Sequence, residues 1–415
     1  MTFSLPYGRG RLTCKLNDVT WKILEPETMA FESRDSEIDA CIEKCVQQVY
    51  EQKVNKLLLV VPDHTRRCSL DQVLPALLQR LQEKVRTRVE ILVANGSHVL
   101  QDESVIRELL SENIWQRYPV FQHDCRDDDQ LVKVGETDGH TPIMLNKRVV
   151  NADLVITLGG VLYHYFAGFG GGAKMILPGT SGHETIRRNH QRTIDARKGR
   201  FHPGCREGNL NTNPVFQDLR QIVKFVPNWI SLQWLVAPNG AIIKSLCGPV
   251  LEEHRKICDQ VERFYSIPIK EKADIVVASA GGEPTDINLI QTHKSIHHAF
   301  QAVKDGGVLV IAAQCRQGVG SRTFMPYFDH GSSKNMAAAL LENYQINGHT
   351  ALALKEKTEA VQIVLLSELD PELVRKTGMV ACKNCEMLKT YLKKANPETG
   401  YYFPQAQMYV PVMIR

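Results

Sequence analysis

Residues 163–190 combine a lysine, a run of glycines and two histidines, all of them residue types that can take part in chemistry. His164 stands ten residues before Lys174, and His190 stands sixteen residues after it. A lysine in a glycine-rich loop can bind a phosphate or become a covalent attachment point, and histidines transfer protons or bind metals near neutral pH. We interpret the segment as an active site. Its candidate cofactor-binding residues are Lys174, Gly170, Gly171 and Gly172.

The loop differs from the phosphate-binding loop of nucleoside triphosphatases. That motif requires a serine or threonine directly after the lysine to reach magnesium, whereas Met175 follows Lys174 here. The sequence therefore disfavours a nucleoside triphosphatase. Beyond the loop, Ser181 and Glu184 have the spacing of a capping box, which predicts the start of a helix that carries His190.

A second group of polar residues follows an apolar run that ends near residue 61. It contains Asp63, Thr65 and Arg66, followed by Arg67. The two arginines offer guanidinium groups that can bind a carboxylate, and Asp63 can orient them or bind a ribose hydroxyl. This segment is therefore a candidate for binding a substrate or a cofactor.

His98 closes another apolar run, just as His164 does. Two histidines on opposite sides of a substrate suit racemisation, because each can remove a proton from one of two mirror-image molecules. Farther along the chain, Gln291 and Lys294 are three residues apart and would point the same way on a helix. A lysine at that position suits an anionic substrate.

Short apolar runs alternate with amphipathic stretches, which predicts an α/β protein with mostly parallel sheets covered by helices. Because ligands bind beyond the carboxyl ends of such strands, the polar segments after the early strands should converge there. The predicted strands span residues 56–61, 89–94, 153–158, 275–279, 307–312 and 361–366. The predicted helices between the early strands span residues 34–51, 69–85 and 102–112.

The length of 415 residues predicts more than one domain. We expect an N-terminal α/β domain at residues 1–266, which carries the cofactor, and a C-terminal α/β domain at residues 267–402. The active site is expected in the cleft between them. Residues 403–415 form a tail that we expect to pack back on the N-terminal domain.

Composition narrows the class of protein further. The net charge of +4 is too small to predict nucleic-acid binding, and no apolar run is long enough for a transmembrane helix. The first residues lack the apolar core of a signal peptide, and the eleven cysteines fit reduced thiols. These features predict a cytoplasmic protein that binds neither nucleic acid nor membrane.

Taken together, the motifs resemble those of the nickel-dependent lactate racemase family. The resemblance runs through most of the chain, and the order and spacing of the segments make it specific. The matching residues are Asp63, Arg66, Gly96-Ser-His98, His164, the Gly168-to-Lys174 loop, Leu177-Pro-Gly179, His190, His202-Pro and the segment from Asp286 through Gln291 to Lys294.

The resemblance implies a two-domain α/β enzyme that holds a nickel-pincer nucleotide, a pyridinium-3-thioamide-5-thiocarboxylic acid mononucleotide with nickel. It implies that Lys174 is joined covalently to this cofactor and that His190 binds the nickel. Asp63 and Thr65 would assist in holding the cofactor. Separate cofactor-biosynthesis proteins are implied as partners.

The implied reaction inverts C2 of a 2-hydroxy acid by proton-coupled hydride transfer, with a 2-keto acid as the intermediate. His98 and His164 would be the acid/base pair. Arg66, Gln291 and Lys294 would bind the substrate.

One departure from the pattern concerns the substrate. Ile290 stands where the lactate-specific pattern has an aromatic residue, which leaves room for a 2-hydroxy acid larger or more polar than lactate. The residues also leave three other functions open. These are a Schiff-base lyase that uses Lys174, a zinc-dependent hydrolase that uses His98, His164 and His190, and a silent binding protein.

Overall fold

The computed structural model describes residues 1–16, 19–26, 35–66, 68–395 and 397–414. The strands are β1 (Thr2–Tyr7), β2 (Gly10–Lys15), β3 (Thr20–Ile23), β4 (Lys56–Pro62), β5 (Arg88–Ala94), β6 (Val120–Gln122), β7 (Leu131–Glu136), β8 (Pro142–Asn146), β9 (Leu154–Gly160), β10 (Tyr163–His164), β11 (Gly168–Phe169), β12 (Ile194–Asp195), β13 (Arg200–Phe201), β14 (Trp229–Val236), β15 (Ile242–Pro249), β16 (Ser266–Ile269), β17 (Ala273–Ser279), β18 (Val303–Ala312), β19 (Gln362–Leu366), β20 (Val380–Cys382), β21 (Thr399–Phe403) and β22 (Val410–Met413).

The helices lie between these strands, as the alternating sequence pattern predicts. They are α1 (Asp35–Glu51), α2 (Leu70–Lys84), α3 (Glu103–Leu110), α4 (Glu112–Arg117), α5 (Lys147–Val150), α6 (His183–Gln191), α7 (Pro214–Leu219), α8 (Val250–Tyr265), α9 (Leu289–Phe300), α10 (Ser333–Glu342), α11 (Gly348–Ala360), α12 (Pro371–Lys376) and α13 (Cys385–Ala395). Short 3₁₀ turns span Asp128–Gln130, Gly172–Met175, Arg220–Phe225 and Met325–His330. The six predicted strands and three predicted helices are all present, with ends that differ by a few residues. The predicted α/β class is confirmed.

The chain forms two compact units. Unit I contains residues 30–192 and 204–262, and unit II contains residues 1–29, 193–203 and 263–415.

A six-stranded sheet in the order β15-β14-β9-β4-β5-β6 forms the centre of unit I. All its pairings are parallel except that between β14 and β15. Residues 57–61 of β4 are fully buried, as expected for a continuous apolar run in a sheet covered on both faces. Apolar residues of α1 and α2, among them Ile42, Val46, Val73 and Leu77, pack into the same core.

Unit II has a second six-stranded sheet, entirely parallel, in the order β20-β19-β18-β17-β21-β3. The set of residues that forms unit II differs from the expected domains, whose boundaries lie at residues 266 and 402. The N-terminal residues belong to it because β3 pairs with β21 and because Phe3 and Leu5 of the β1–β2 hairpin are buried in its core. The tail also belongs to unit II, since β22 pairs in parallel with β16.

Two further sequence expectations concern the cysteines and the membrane. Cys14 and Cys385 of unit II form a disulfide with a Cα–Cα distance of 5.5 Å, so the expectation of reduced thiols does not hold for this pair. Within the described ranges, none of the helices has both the length and the apolar character needed to cross a membrane.

Candidate active site

Asp63 and His98 meet where two adjacent strands of unit I end. In the β4–β5 register Pro62 lies opposite Ala94, so both strands deliver their next residues to the same edge of the sheet. The His98 Nδ1 atom is 2.7 Å from Asp63 Oδ2. Asp63 is buried, whereas the His98 side chain is 35% exposed and can reach a bound molecule.

The charge of Asp63 is stabilised by its neighbours. Burial alone would raise the pKa of this carboxyl group, but His98, Arg66 and Thr65 together hold it well below its ordinary value. The backbone N–H of Thr65 donates to Asp63 Oδ1 at 2.8 Å, and its hydroxyl group donates to the same atom at 2.5 Å. The Thr65 hydroxyl proton is therefore used in a hydrogen bond that fixes the position of the Asp63 carboxylate. Arg66 is exposed, and Arg67 lies outside the described residues.

The glycine-lysine loop begins at the β10–β11 hairpin and ends in the 3₁₀ turn Gly172–Met175, which carries Lys174. Gly171 and Gly172 have φ angles of 70° and 53°, which glycine adopts without steric strain. The Gly170 N–H donates to the Leu162 carbonyl group at 2.8 Å. The Gly170 amide proton is therefore committed to the protein and is not available to a phosphate.

Lys174 is half-buried, and its ammonium form is disfavoured. Burial and, to a smaller extent, the positive charge of Arg66 together lower the pKa of Lys174 to about 7. A large fraction of this side chain is therefore a neutral amine at physiological pH. A neutral amine is what a nucleophilic lysine requires.

Phe166 joins three of the predicted site residues. Its ring centroid lies 4.5 Å from that of His164 and 4.9 Å from that of His190, with edge-on geometry in both cases. The Lys174 Nζ atom lies 5.0 Å from the same centroid. One aromatic side chain thus holds the lysine and two histidines within a single cluster.

The two histidines of this cluster are both buried but differ in their setting. His164 Nδ1 accepts a hydrogen bond from the Ala167 N–H at 3.4 Å within the hairpin. His190 lies in the last turn of α6. The predicted capping box is not formed, because α6 starts after Gly182 and the Ser181 hydroxyl group instead donates to the Ile176 carbonyl group.

Gln291 and Lys294 lie in unit II, on helix α9. They face the same way, as their spacing predicts, since Lys294 Nζ donates to Gln291 Oε1 at 2.6 Å. Asp286 has a structural role in this unit. Its Oδ2 atom accepts from the backbone N–H groups of Gly8 and Gln314, which ties the turn of the β1–β2 hairpin to the segments that follow β17 and β18.

Sequence reasoning missed two residues behind the loop and one within it. His254 on α8 hydrogen-bonds through Nδ1 to Gln233 Oε1 of β14 at 2.8 Å, and it packs against Gly172. Neither residue is part of a recognisable local motif, so no sequence signal pointed to them. Phe166 could have been identified from its place between His164 and Lys174.

The described part of the chain contains no group of three or more His, Cys, Asp or Glu side chains that could hold a metal ion. The nickel site implied by the sequence resemblance requires only one protein ligand, His190.

Comparison with known proteins finds the same family in both halves of the chain. Residues 7–200 match the lactate racemase N-terminal domain, and residues 269–400 match the lactate racemase C-terminal domain. The lactate racemase of Thermoanaerobacterium thermosaccharolyticum is 30% identical over 334 residues, which cover 78% of this chain and 77% of that one. The lactate racemase of Lactiplantibacillus plantarum is 28% identical over 335 residues, with the same coverage of 78% and 77%.

Solved structures support the fold. The lactate racemase apoprotein from T. thermosaccharolyticum superposes with a TM-score of 0.87 at 24% identity, covering 99% of this chain and 100% of that one. A protein from Thermotoga maritima superposes with a TM-score of 0.70 at 16% identity, covering 92% and 98%. The two domain matches together span most of the sequence, so the chain belongs to the lactate racemase family and is an isomerase of the racemase class.

Proposed function

We propose that this protein inverts C2 of a 2-hydroxy acid and that it does so with a nickel-pincer nucleotide attached to Lys174. The observation that carries the proposal is the connected cluster in unit I. Asp63 binds His98, Arg66 acts electrostatically on both Asp63 and Lys174, and Phe166 contacts Lys174. His164 and His190 join the cluster through the same Phe166 ring.

The residues present suit this cofactor. The lowered pKa of Lys174 supports its role as the covalent attachment point, and a buried imidazole such as His190 is a suitable ligand for nickel. The glycine loop lets the backbone lie close to a nucleotide. Both oxygens of Asp63 are already bound, Oδ1 by Thr65 and Oδ2 by His98, so Asp63 would support the cofactor site through these residues. When bound, the pyridinium ring of the cofactor supplies a reversible acceptor for hydride.

His98 has the arrangement of a general base. With Asp63 as the acceptor at Nδ1, the neutral ring carries its proton there and keeps a lone pair on Nε2. That lone pair takes the hydroxyl proton of one enantiomer, and Asp63 stabilises the resulting imidazolium. We assign His164 to the mirror-image substrate, with the difference that its Nδ1 atom accepts from the Ala167 N–H, so that its neutral ring carries the proton on Nε2. Inversion therefore requires one histidine to take the hydroxyl proton and the other to donate a proton to the oxygen of the 2-keto acid when it is reduced on its other face.

The substrate carboxylate requires cationic partners. Arg66 is exposed at the carboxyl end of β4 and can form a paired interaction with a carboxylate. Lys294, oriented by Gln291, is the second candidate. Lactate is the substrate named for the two curated relatives, and it is the first to test. Ile290 beside Gln291 makes larger or more polar 2-hydroxy acids, such as malate-like, aromatic and sugar acids, the next to test.

The deciding experiment is a mass measurement of protein produced together with the cofactor-making enzymes and nickel. We expect a single adduct that maps to Lys174 and one nickel per chain, both of them missing from a Lys174→Ala control. The holoprotein is then incubated with enantiopure 2-hydroxy acids while chirality is followed. Protein produced in this way that carries neither an adduct nor nickel would overturn the proposal.

The lowered pKa of Lys174 also favours one competing function, a Schiff-base lyase. Borohydride trapping of a carbonyl substrate on Lys174, without nickel, would support that function. Stoichiometric zinc without an adduct would support a hydrolase. For the cellular setting, we propose a cytoplasmic enzyme that depends on separate cofactor-biosynthesis proteins.

A further inference from the structure

His254 lies behind the glycine-lysine loop and is held at both ring nitrogens. It is buried on α8, one turn before Cys258. With Gln233 Oε1 as the acceptor 2.8 Å from Nδ1, the ring carries its proton on Nδ1, and Nε2 can accept from the Cys258 thiol at 3.5 Å. The Phe216 ring stacks near it with a centroid distance of 6.3 Å. The position and tautomer of His254 are therefore fixed by its neighbours.

The ring of His254 packs directly against the turn that carries Lys174. A Cβ atom at Gly172 would lie 2.5 Å from His254 Cγ and Nδ1, closer than any real contact. A Cβ atom at the preceding Gly171 would lie 3.5 Å from Gln233 Oε1. Glycine is thus needed at position 172 because the backbone there rests on the His254 ring, whereas at Gly171 the atom that a Cβ would clash with is Val161 Cγ2, at 2.7 Å. This contact comes two residues before Lys174.

Electrostatics agree with this packing. Burial and, to a smaller extent, the charge of Lys174 together lower the pKa of His254 to about 4. The imidazole is therefore neutral at physiological pH and adds no positive charge beside the amine. If the ring were removed, water could enter the space behind the turn and stabilise the ammonium form of Lys174.

We propose that His254 is a positioning residue for Lys174: its neutral ring, fixed between Gln233 and Cys258, holds the Gly172–Met175 turn so that the lysine amine stays in its buried position. The functional meaning of this inference rests on the proposed role of Lys174 as the cofactor attachment point. His254 acts through the lysine and does not itself touch the reacting atoms.

The test uses the whole chain as the apoprotein and measures the Lys174 amine directly. Trace acetic anhydride is applied from pH 5 to pH 10, and acetylation of Lys174 is quantified by peptide mass spectrometry relative to the exposed Lys53. In the wild type, labelling of Lys174 should rise through about pH 7. In His254→Ala the apparent pKa of Lys174 should increase by at least 1, which lowers labelling at pH 7 by about fivefold or more.

His123→Ala is the matched control. His123 belongs to the same unit, is equally buried and also has a pKa lowered to about 4 by burial, but its ring bonds to Asn146 and to the Ser181 carbonyl group. This control should leave the titration of Lys174 unchanged. His254→Gln, which stays neutral and leaves a smaller cavity, should give a smaller increase in the same direction. It also provides the measurement if His254→Ala fails to fold.

The proposal is overturned if His254→Gln and every folded His254 variant titrate like the wild type, or if His123→Ala shifts Lys174 as much. Because no nucleotide is present, this outcome is independent of the proposed function. A wild-type protein that never forms an adduct, yet whose Lys174 depends on His254, would overturn the pincer assignment and leave the positioning role intact. A wild-type protein that forms an adduct on Lys174, but whose Lys174 titration does not depend on His254, would support the pincer assignment and overturn the positioning role.

Discussion

Asp63 and His98 form a hydrogen-bonded pair, with 2.7 Å between Asp63 Oδ2 and His98 Nδ1, at the carboxyl edge of the unit I sheet. The pair resembles the aspartate–histidine arrangement by which hydrolases fix the tautomer of a catalytic imidazole. Thr65 supplies two further hydrogen bonds to the other carboxylate oxygen. The carboxylate is therefore held rigidly while His98 remains partly exposed, which is what an acid/base residue needs.

Replacing Asp63 by Asn should reduce racemisation by about 10- to 100-fold, because the amide neither fixes the His98 tautomer nor stabilises its charge. Initial rates with each enantiomer would measure this effect. Asp153→Asn is a suitable control. Asp153 accepts backbone N–H bonds from Asn55 and Lys56 at the opposite end of β4, so activity should change little. Equal losses in both variants would contradict the role of Asp63.

The same substitution gives a prediction for pH dependence. The pKa of Asp63 is lowered in the folded protein, so its charge contributes stability above the unfolded value of about 3.9, and this contribution is lost as the pH falls. Asp63→Asn should lower the free energy of unfolding by about 1–3 kcal/mol at pH 7. The difference from wild type should shrink as the pH falls below about 4. Urea unfolding at several pH values measures it, and a difference that grows in acid would contradict the assigned charge.

The two proposed acid/base residues can be separated by single-turnover experiments. In steady state His98→Gln and His164→Gln should both abolish racemisation, because inversion needs one histidine on each side. In a single turnover each variant should still oxidise one enantiomer to the 2-keto acid, and the two variants should prefer opposite enantiomers. Rapid acid quenching and assay of the keto acid would show this. The same enantiomer preference in both variants would contradict placement on opposite faces.

The fold could be predicted because its determinants are local. The apolar runs of β4, β5 and β9 are continuous, and each run is followed by polar residues where its strand ends. The division into units could not be predicted in the same way. Strand β3 joins the unit II sheet through pairing with β21, a contact between residues 379 positions apart that leaves no local pattern.

The site shows the same limit. Lys174, His98 and His164 could be proposed as site residues because glycines and strand ends mark them in the sequence. His254 could not, since it lies on an amphipathic helix whose sequence gives no sign that the ring touches Gly172. Ser181 was misread because its hydroxyl group has a competing acceptor, the Ile176 carbonyl group, that only the folded loop provides.

Phe166 should matter more for the site than for stability. Phe166→Leu removes the ring that contacts His164, His190 and Lys174. We expect the activity and the nickel content of the loaded protein to fall about tenfold or more, by analogy with other residues that orient metal ligands. Phe169→Leu is the matched control. Phe169 is equally buried in the same hairpin but stacks on Tyr163, so it should lose a similar amount of stability and retain activity.

Both variants should be measured by thermal unfolding of the apoprotein, by nickel content and by racemisation rate. The three measurements separate positioning from general destabilisation. If Phe166→Leu and Phe169→Leu lose nickel and activity in parallel, then Phe166 has no special relation to the histidines and the lysine.

The last prediction concerns the cost of burying Lys174. Its pKa is about 7 in the folded protein against about 10.4 in the unfolded chain, so between these values the unfolded state binds more protons and stability rises with pH. Lys174→Met removes this dependence. The variant apoprotein should therefore be more stable than wild type below pH 7, and its advantage should decline steadily between pH 7 and about pH 10. Urea unfolding over pH 6–10 measures the difference, with Lys53→Met as the exposed control. A pH-independent difference would mean that Lys174 keeps its proton in the folded protein, and the amine would then lack the neutral form that covalent attachment requires.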